Sequence, residues 1–179
     1  QNNNKIFICT GMGDTPILDF TNGGATTNGR STPITTSGVY RSLNDGSTWQ
    51  LMDPSMLTTY FVNGGSCRDI KVDPTNEDYV FTATSEGLFR SQNATQPNPT
   101  FSKINFSSLA GITSGDFSGL EFQPITGSGQ SSRLYAASNQ IVYSDDQGVT
   151  WTQLTGTGIN QLDISTLNGG NYDLKRIKL

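Results

Sequence analysis

The chain has 179 residues, a net charge of −4 and a sequence pI near 4.6, a length that suits one domain or part of a larger one and a charge without the basic footprint of a nucleic-acid binder. Only 15% of residues are charged and 33% hydrophobic, with Ser, Thr, Asn and 20 Gly filling the difference, which favours strands and turns over solvated helices. No stretch approaches the roughly 20 apolar residues of a membrane-spanning helix, and with no histidine the sequence excludes Ser-His-Asp and Cys-His catalysis and every His-containing metal site within it.

The first strand-like run is Ile6-Phe7-Ile8-Cys9-Thr10. A long insertion rich in Asn, Gly and Thr follows, with Asp14, Asp19, Phe20 and Arg30 as its chemically equipped members. Next come Gly38-Val39-Tyr40-Arg41-Ser42 and, after a turn, Thr48-Trp49-Gln50-Leu51. In Asp69-Ile70-Lys71-Val72-Asp73-Pro74, apolar and polar residues alternate with the period of two of a half-buried strand. Pro74 ends that strand because proline has no N–H for the ladder. Val80-Phe81-Thr82-Ala83-Thr84, Gly87-Leu88-Phe89-Arg90-Ser91 and Thr100-Phe101-Ser102-Lys103-Ile104 continue the series. The same four runs then return as Gly119-Leu120-Glu121-Phe122-Gln123-Pro124, Leu134-Tyr135-Ala136-Ala137-Ser138, Gln140-Ile141-Val142-Tyr143-Ser144 and Thr150-Trp151-Thr152-Gln153-Leu154. Arg176-Ile177-Lys178-Leu179 has the pattern of 70–72 once more.

Four short strands recurring about every fifty residues are the arithmetic of a β-propeller blade. The expected fold is therefore all-β, with blades of four antiparallel strands over 5–52, 67–104 and 118–155, and the first strand of a next blade over 172–179. A closed ring needs at least about four blades. The expectation is thus a fragment, about three blades of a larger ring, whose first partner is the remainder of its own propeller. The alternative is a self-contained three-blade oligomer.

Two turns carry a sharper signal. Ser42-Leu43-Asn44-Asp45-Gly46-Ser47-Thr48-Trp49 and Ser144-Asp145-Asp146-Gln147-Gly148-Val149-Thr150-Trp151 share a Ser-x-(Asp/Asn)-x-Gly-x-Thr-Trp frame. It resembles the Asp-box, the BNR repeat of sialidases, xyloglucanases and sortilin-type receptor ectodomains. The resemblance implies that Ser42, Asn44, Gly46, Trp49, Ser144, Asp146, Gly148 and Trp151 build the turn between a blade's third and fourth strands. Asn44 or Asp146 can accept backbone N–H groups there, the glycines allow positive φ, and the indole covers the turn. The tryptophans are then structural staples, and the turn accounts for Asp146 without a bound cation. The middle copy departs from the frame: Ser91-Gln92-Asn93 leads into a longer loop without glycine, and Phe101 replaces the tryptophan.

In a propeller, loops joining second to third strands and successive blades emerge on the face opposite those turns. The resemblance therefore places the binding-face candidates at Asp14, Asp19, Phe20, Arg30, Tyr60, Asn63, Asp116 and Tyr172, beside Phe61, Phe117, Asn171 and Asp173. Rings beside amides and carboxylates suit sugar or peptide binding, and equally suit packing between blades. Two carboxylates about 5–10 Å apart could hydrolyse a glycosidic bond, with Asp14, Asp19 and Asp116 as the available set. Yet the arginine triad and tyrosine of sialidases do not map onto this sequence and the Thr-Asp-Val-Gly-Gly context of xyloglucanases is absent from it, so no catalytic residue is assigned. Cys9 and Cys67 read most simply as buried small hydrophobes, with a bridge between adjacent blades as the alternative. Asn93-Ala94-Thr95 and Asn105-Phe106-Ser107 fit the N-glycosylation triplet.

The expected function is a binding or scaffold module for a glycan or protein ligand, secreted or displayed at the cell surface. It would hold no cofactor and no metal, bind no nucleic acid and have no membrane span in this segment. The alternative is part of a glycoside hydrolase of xyloglucanase or sialidase type, with catalytic carboxylates partly outside the segment. A sortilin-like receptor fits less well, because those ectodomains are cysteine-rich and only two cysteines occur here.

Overall fold

The computed structural model describes residues 4–10, 38–61, 65–109, 111–112, 115–123 and 132–154. The predicted runs become β1 (Ile6–Thr10), β2 (Gly38–Ser42) and β3 (Gln50–Leu51); β4 (Cys67–Asp73), β5 (Asn76–Thr84), β6 (Gly87–Ser91) and β7 (Ser102–Lys103); and β8 (Gly119–Phe122), β9 (Leu134–Ala137), β10 (Ile141–Ser144) and β11 (Thr152–Gln153). Each group is an antiparallel meander, so the described residues form three sheets of three, four and four strands, with sequential strands as neighbours. The registers agree between sheets. Ile6 pairs with Ser42, Val80 with Ser91 and Leu134 with Ser144, each serine being the last residue of its own strand.

The central sheet has an apolar layer on either side, which explains why Val80-Phe81 and Leu88-Phe89 lack clean alternation. Val80 and Phe89 join Val39, Met52 and Phe61 in the seam with the first sheet. Phe81 and Leu88 turn the other way, onto Leu120, Leu134 and Val142 of the third. The all-β expectation omitted one element, the helix α1 (Pro54–Thr59). Its six residues are too few to show a 3.6-residue period. The local signal was Asp-Pro-Ser: Asp53 Oδ1 accepts the Ser55 N–H at 3.0 Å as N-cap, and Pro54 fills the first turn. Met56 then plugs the seam between the first two sheets.

Polar groups stitch these seams at repeated positions. Arg41, on β2, is 2% exposed; it donates through Nη1 to the Ala94 carbonyl and through Nη2 to Gln50 Oε1 at 2.8 Å. Arg90, its counterpart on β6, donates through Nη1 to the Gln147 carbonyl at 2.9 Å. Burial lowers the Arg41 pKa and the charge of Asp78 works against that, and the guanidinium stays protonated at neutral pH. Carboxylates provide further ties. Asp53 Oδ2 accepts the Phe101 N–H at 2.8 Å, and Asp69 Oδ2 accepts the Leu120 N–H at 2.9 Å. Asp73 Oδ1 accepts the Ser132 hydroxyl at 3.0 Å.

The cysteines depart from their simplest sequence reading. Cys9 on β1 and Cys67 at the start of β4 face each other across the first seam, Cα atoms 5.6 Å apart, and are joined in a disulfide, a separation that suits a bridge. With the two 58 positions apart in the chain, Cys67→Ser is expected to lower the unfolding free energy by up to about 4 kcal/mol, the loop-closure value for that length; urea titration with and without reductant measures it. Arg41→Met leaves the Ala94 carbonyl without its buried donor and is expected to cost about 3 kcal/mol, read by the same titration under oxidising conditions.

Candidate functional site

Each sheet has two ends. At one, the hairpin after the third repeat strand closes on a hydrogen-bonded lock of constant design. In the first sheet, the Ser42 hydroxyl donates to Asn44 Oδ1 at 2.9 Å and accepts the Gly46 N–H at 2.8 Å, while Asn44 Oδ1 also takes the Thr48 N–H at 2.9 Å. In the third, Ser144 donates to Asp146 Oδ1 at 2.8 Å and accepts from Gly148 at 2.8 Å, and Asp146 Oδ1 takes the Thr150 N–H at 2.8 Å. Asp45 and Gln147 adopt φ of 56° and 58°, followed by Gly46 and Gly148 at 84° and 78°. Gly148 is required twice over. Besides its φ, a Cβ there would stand 2.7 Å from Phe81 Cε1. The middle hairpin, longer and without glycine, keeps two of the lock's three bonds: Ser91 donates to Asn93 Oδ1 at 3.2 Å, which accepts the Thr100 N–H at 3.0 Å. Asp78 anchors the added residues by accepting the Thr95 N–H at 2.9 Å.

The aromatic residue after each lock differs in setting. Trp151 donates its indole N–H to the Gly148 carbonyl at 3.2 Å and stands edge-on to Phe106 with centroids 5.4 Å apart. Phe101 is buried, whereas Trp49 is 45% exposed.

At the other end, the described connections gather several of the predicted candidates. Asp116 forms an ion pair with Arg68, whose side chain is largely buried while that of Asp116 is half exposed. Next to them, the Phe117 N–H donates to the Thr84 carbonyl at 3.0 Å, and Ser66 and Ser85 exchange hydrogen bonds. Glu86 lies near Gly65 in the same region. Asn139 donates through Nδ2 to the Gly111 carbonyl at 2.8 Å. Phe61 and Phe117 are buried in the two seams, Phe117 stacked on Phe106 at 5.1 Å. Tyr60 is half-buried, edge-on to Phe89 at 4.8 Å with the Lys103 ammonium 5.9 Å from its ring centre. Asp14, Asp19, Phe20, Arg30, Asn63 and Tyr172 lie outside the described residues, as do Asn171 and Asp173.

Sequence reasoning passed over Arg68 and Glu86, and gave the arginines at 41 and 90 no role although they hold one place in the repeat. Among the described residues, no group of three His, Cys, Asp or Glu could hold a metal ion, and no helix is long and apolar enough to cross a membrane. No protein-family model, curated protein or solved structure matches the chain.

The electrostatics of the lock give it a pH dependence. Partial burial opposes ionisation of Asp146, but hydrogen bonds from Thr150, Ser144 and Val149 outweigh it and hold the carboxyl below its ordinary range. Bonds from Thr95 lower Asp78, and the bidentate contact with Arg133 lowers Asp145. A carboxyl whose pKa is depressed on folding stabilises the fold above its unfolded pKa, and the contribution is lost as pH falls through the folded pKa. Stability is therefore expected to be level from neutral pH to about 5 and to decline below about 4, followed by urea titration across that range. Because Asn44 and Asn93 serve at the same place, Asp146→Asn is expected to cost under about 1 kcal/mol and to flatten part of this decline. Asp146→Ala removes the acceptor and is expected to cost about 1–2 kcal/mol, as loss of a cap does.

Proposed function

We propose that the protein is an Asp-box β-propeller module, about three blades of a larger ring, that binds or displays a glycan or protein ligand outside the cell. One observation carries this reading. The same lock, serine to Asn or Asp to threonine, closes the same hairpin in three consecutive sheets. An isolated turn of this kind would be local chemistry; three in register fit a unit repeated for assembly. The disulfide favours an oxidising setting.

Ligand binding falls to the end away from the locks, where Arg68, Asp116, Glu86 and Asn139 offer donors and acceptors over buried rings. Asp116 is engaged with Arg68, an arrangement suited to orienting a hydroxyl-rich or amide-rich ligand. The hydrolase alternative needs a second carboxylate at a set distance from the first, and none of the described geometry favours it. The module is expected to bind on a glycan array and to leave xyloglucan and sialosides intact. Asp116→Asn is expected to weaken array binding at least about threefold; because the Arg68 side chain it pairs with is largely buried, the substitution is also expected to cost about 1–3 kcal/mol of stability, so binding is compared on protein shown to be folded by circular dichroism. Hydrolysis abolished by Asp14→Asn or Asp116→Asn would overturn the reading in favour of an enzyme.

A further inference from the structure

The connections that enter β4 and β8 are held down in different ways. Cys67 and Phe117 hold one place in the repeat, two residues before Asp69 and Gly119, which pair with the equivalent Ala83 and Ala137. Phe117 is buried in the second seam with Ala83, stacked on Phe106, and its N–H donates to the Thr84 carbonyl. Cys67 brings no ring to the first seam, and its hold there is the bond to Cys9. Cys9, opposite Val39, in turn takes the place that Ala83, opposite Leu88, takes in the central sheet. Where the second seam has an apolar anchor, the first has a disulfide.

The ion pair of the candidate site joins these two anchors, since Arg68 follows Cys67 and Asp116 precedes Phe117. Arg68 is also the added residue of a β-bulge. Cys67 pairs with Thr84 and Asp69 with Ala83, consecutive residues of β5, so Arg68 has no partner place in that register. The pairing of β8 with β9 runs without such a shift. A bulge turns its side chain out of the strand's alternation, and this one sends a largely buried guanidinium to the half-exposed carboxylate of Asp116. Beyond the bulge the β4–β5 ladder is the single pair Cys67–Thr84, too little to hold the bulge by itself. The rest of the first seam has other support. Its apolar layer includes Val39, Met52, Val80 and Phe89, and Arg41 and Gln50 tie its lock end through the Ala94 and Pro97 carbonyls.

We propose that the Cys9–Cys67 bridge is a redox clamp on the candidate site. Oxidised, it holds the Arg68 bulge against Asp116; reduced, it releases the bulge while the sheets and locks persist. Cys9 is part-exposed on β1, within reach of an external dithiol. One thiolate of the dithiol displaces a cysteine sulfur to give a mixed disulfide, and its second thiolate displaces the first. The two cysteines gain two electrons and two protons, and the dithiol leaves as its own disulfide. The site is thereby assembled in an oxidising compartment and taken apart by thiols. That the clamp governs ligand binding rests on the functional reading above; the clamp itself does not.

Backbone hydrogen exchange of the full chain, read by NMR with and without excess dithiothreitol, tests it. The site reporters are the amides of Ser66, Ser85 and Phe117, which bond Ser85 Oγ and the Ser66 and Thr84 carbonyls. The fold reporters are those of Met52 and Ile104 beside the third strands and of Gly148 in its lock. Reduction is expected to speed exchange at the site at least about tenfold and to leave the fold reporters within about twofold. Cys9→Ser opens the bridge without reductant, and is expected to exchange like the reduced wild type and to be indifferent to dithiothreitol. Site amides that keep their protection on reduction overturn the proposal, as does a Cys9→Ser variant with the oxidised pattern. Acceleration at site and fold reporters together overturns it too, because the bridge then holds the whole fold. Glycan-array binding of the oxidised protein is read separately. Binding in a protein whose exchange ignores reduction removes the clamp and leaves the functional reading, whereas a released site in a protein that binds no glycan does the reverse.

Discussion

A serine hydroxyl that donates a hydrogen bond to an amide or carboxylate oxygen two residues ahead, and in the first and third turns accepts the glycine N–H four residues ahead, fixes the geometry of this protein at its smallest scale. The lock sets where the last strand of each sheet begins. That strand is only two residues long in all three sheets, too short to hold its place through its own ladder. Its alignment is set by Thr48, Thr100 and Thr150, each tied back across the turn. Everything farther out depends on that alignment, including the N–H groups of Met52, Ile104 and Leu154 that close onto the third strand.

The second scale is the seam between sheets. Apolar area supplies the bulk of the cohesion, but it does not specify how far one sheet slides over the next. Directional groups do. A guanidinium buried at Arg41 needs its carbonyl, and a carboxylate at Asp69 meets one particular N–H, that of Leu120. Because a buried donor or acceptor left unpaired is costly, a slip of one residue is penalised several times over. The Cys9–Cys67 bridge adds a covalent stop at the first seam.

Much of this was legible in the sequence because the repeat was. Strand places followed from Ser42, Ser91 and Ser144 and the apolar runs before them, and the lock from Ser, Asn or Asp, and Thr at matched spacing. What escaped notice is instructive in physical terms. Helix α1 is a single capped turn whose stability comes from Asp53 and from Met56 in the seam, so no periodicity announces it. The role of Arg41 depends on a carbonyl 53 residues away, and sequence carries no mark of the acceptor. The disulfide depends on how β1 and β4 approach, a tertiary fact. Among the binding-face candidates, Asp116 was placed through its repeat position, but its partner Arg68 lies 48 residues earlier and had no motif to flag it.

The longer middle hairpin has a consequence for how such a protein can change. Asn93 reaches Thr100 across seven positions, where Asn44 reaches Thr48 across four, and yet the strands on either side keep their register. Three added residues were absorbed without disturbing a neighbour. The hairpin therefore behaves as a splice point: an epitope, tag or recognition peptide inserted after the exposed Gln96, beyond the Ala94 and Thr95 contacts, would be displayed at that end of the sheets while the strands beneath stayed in line.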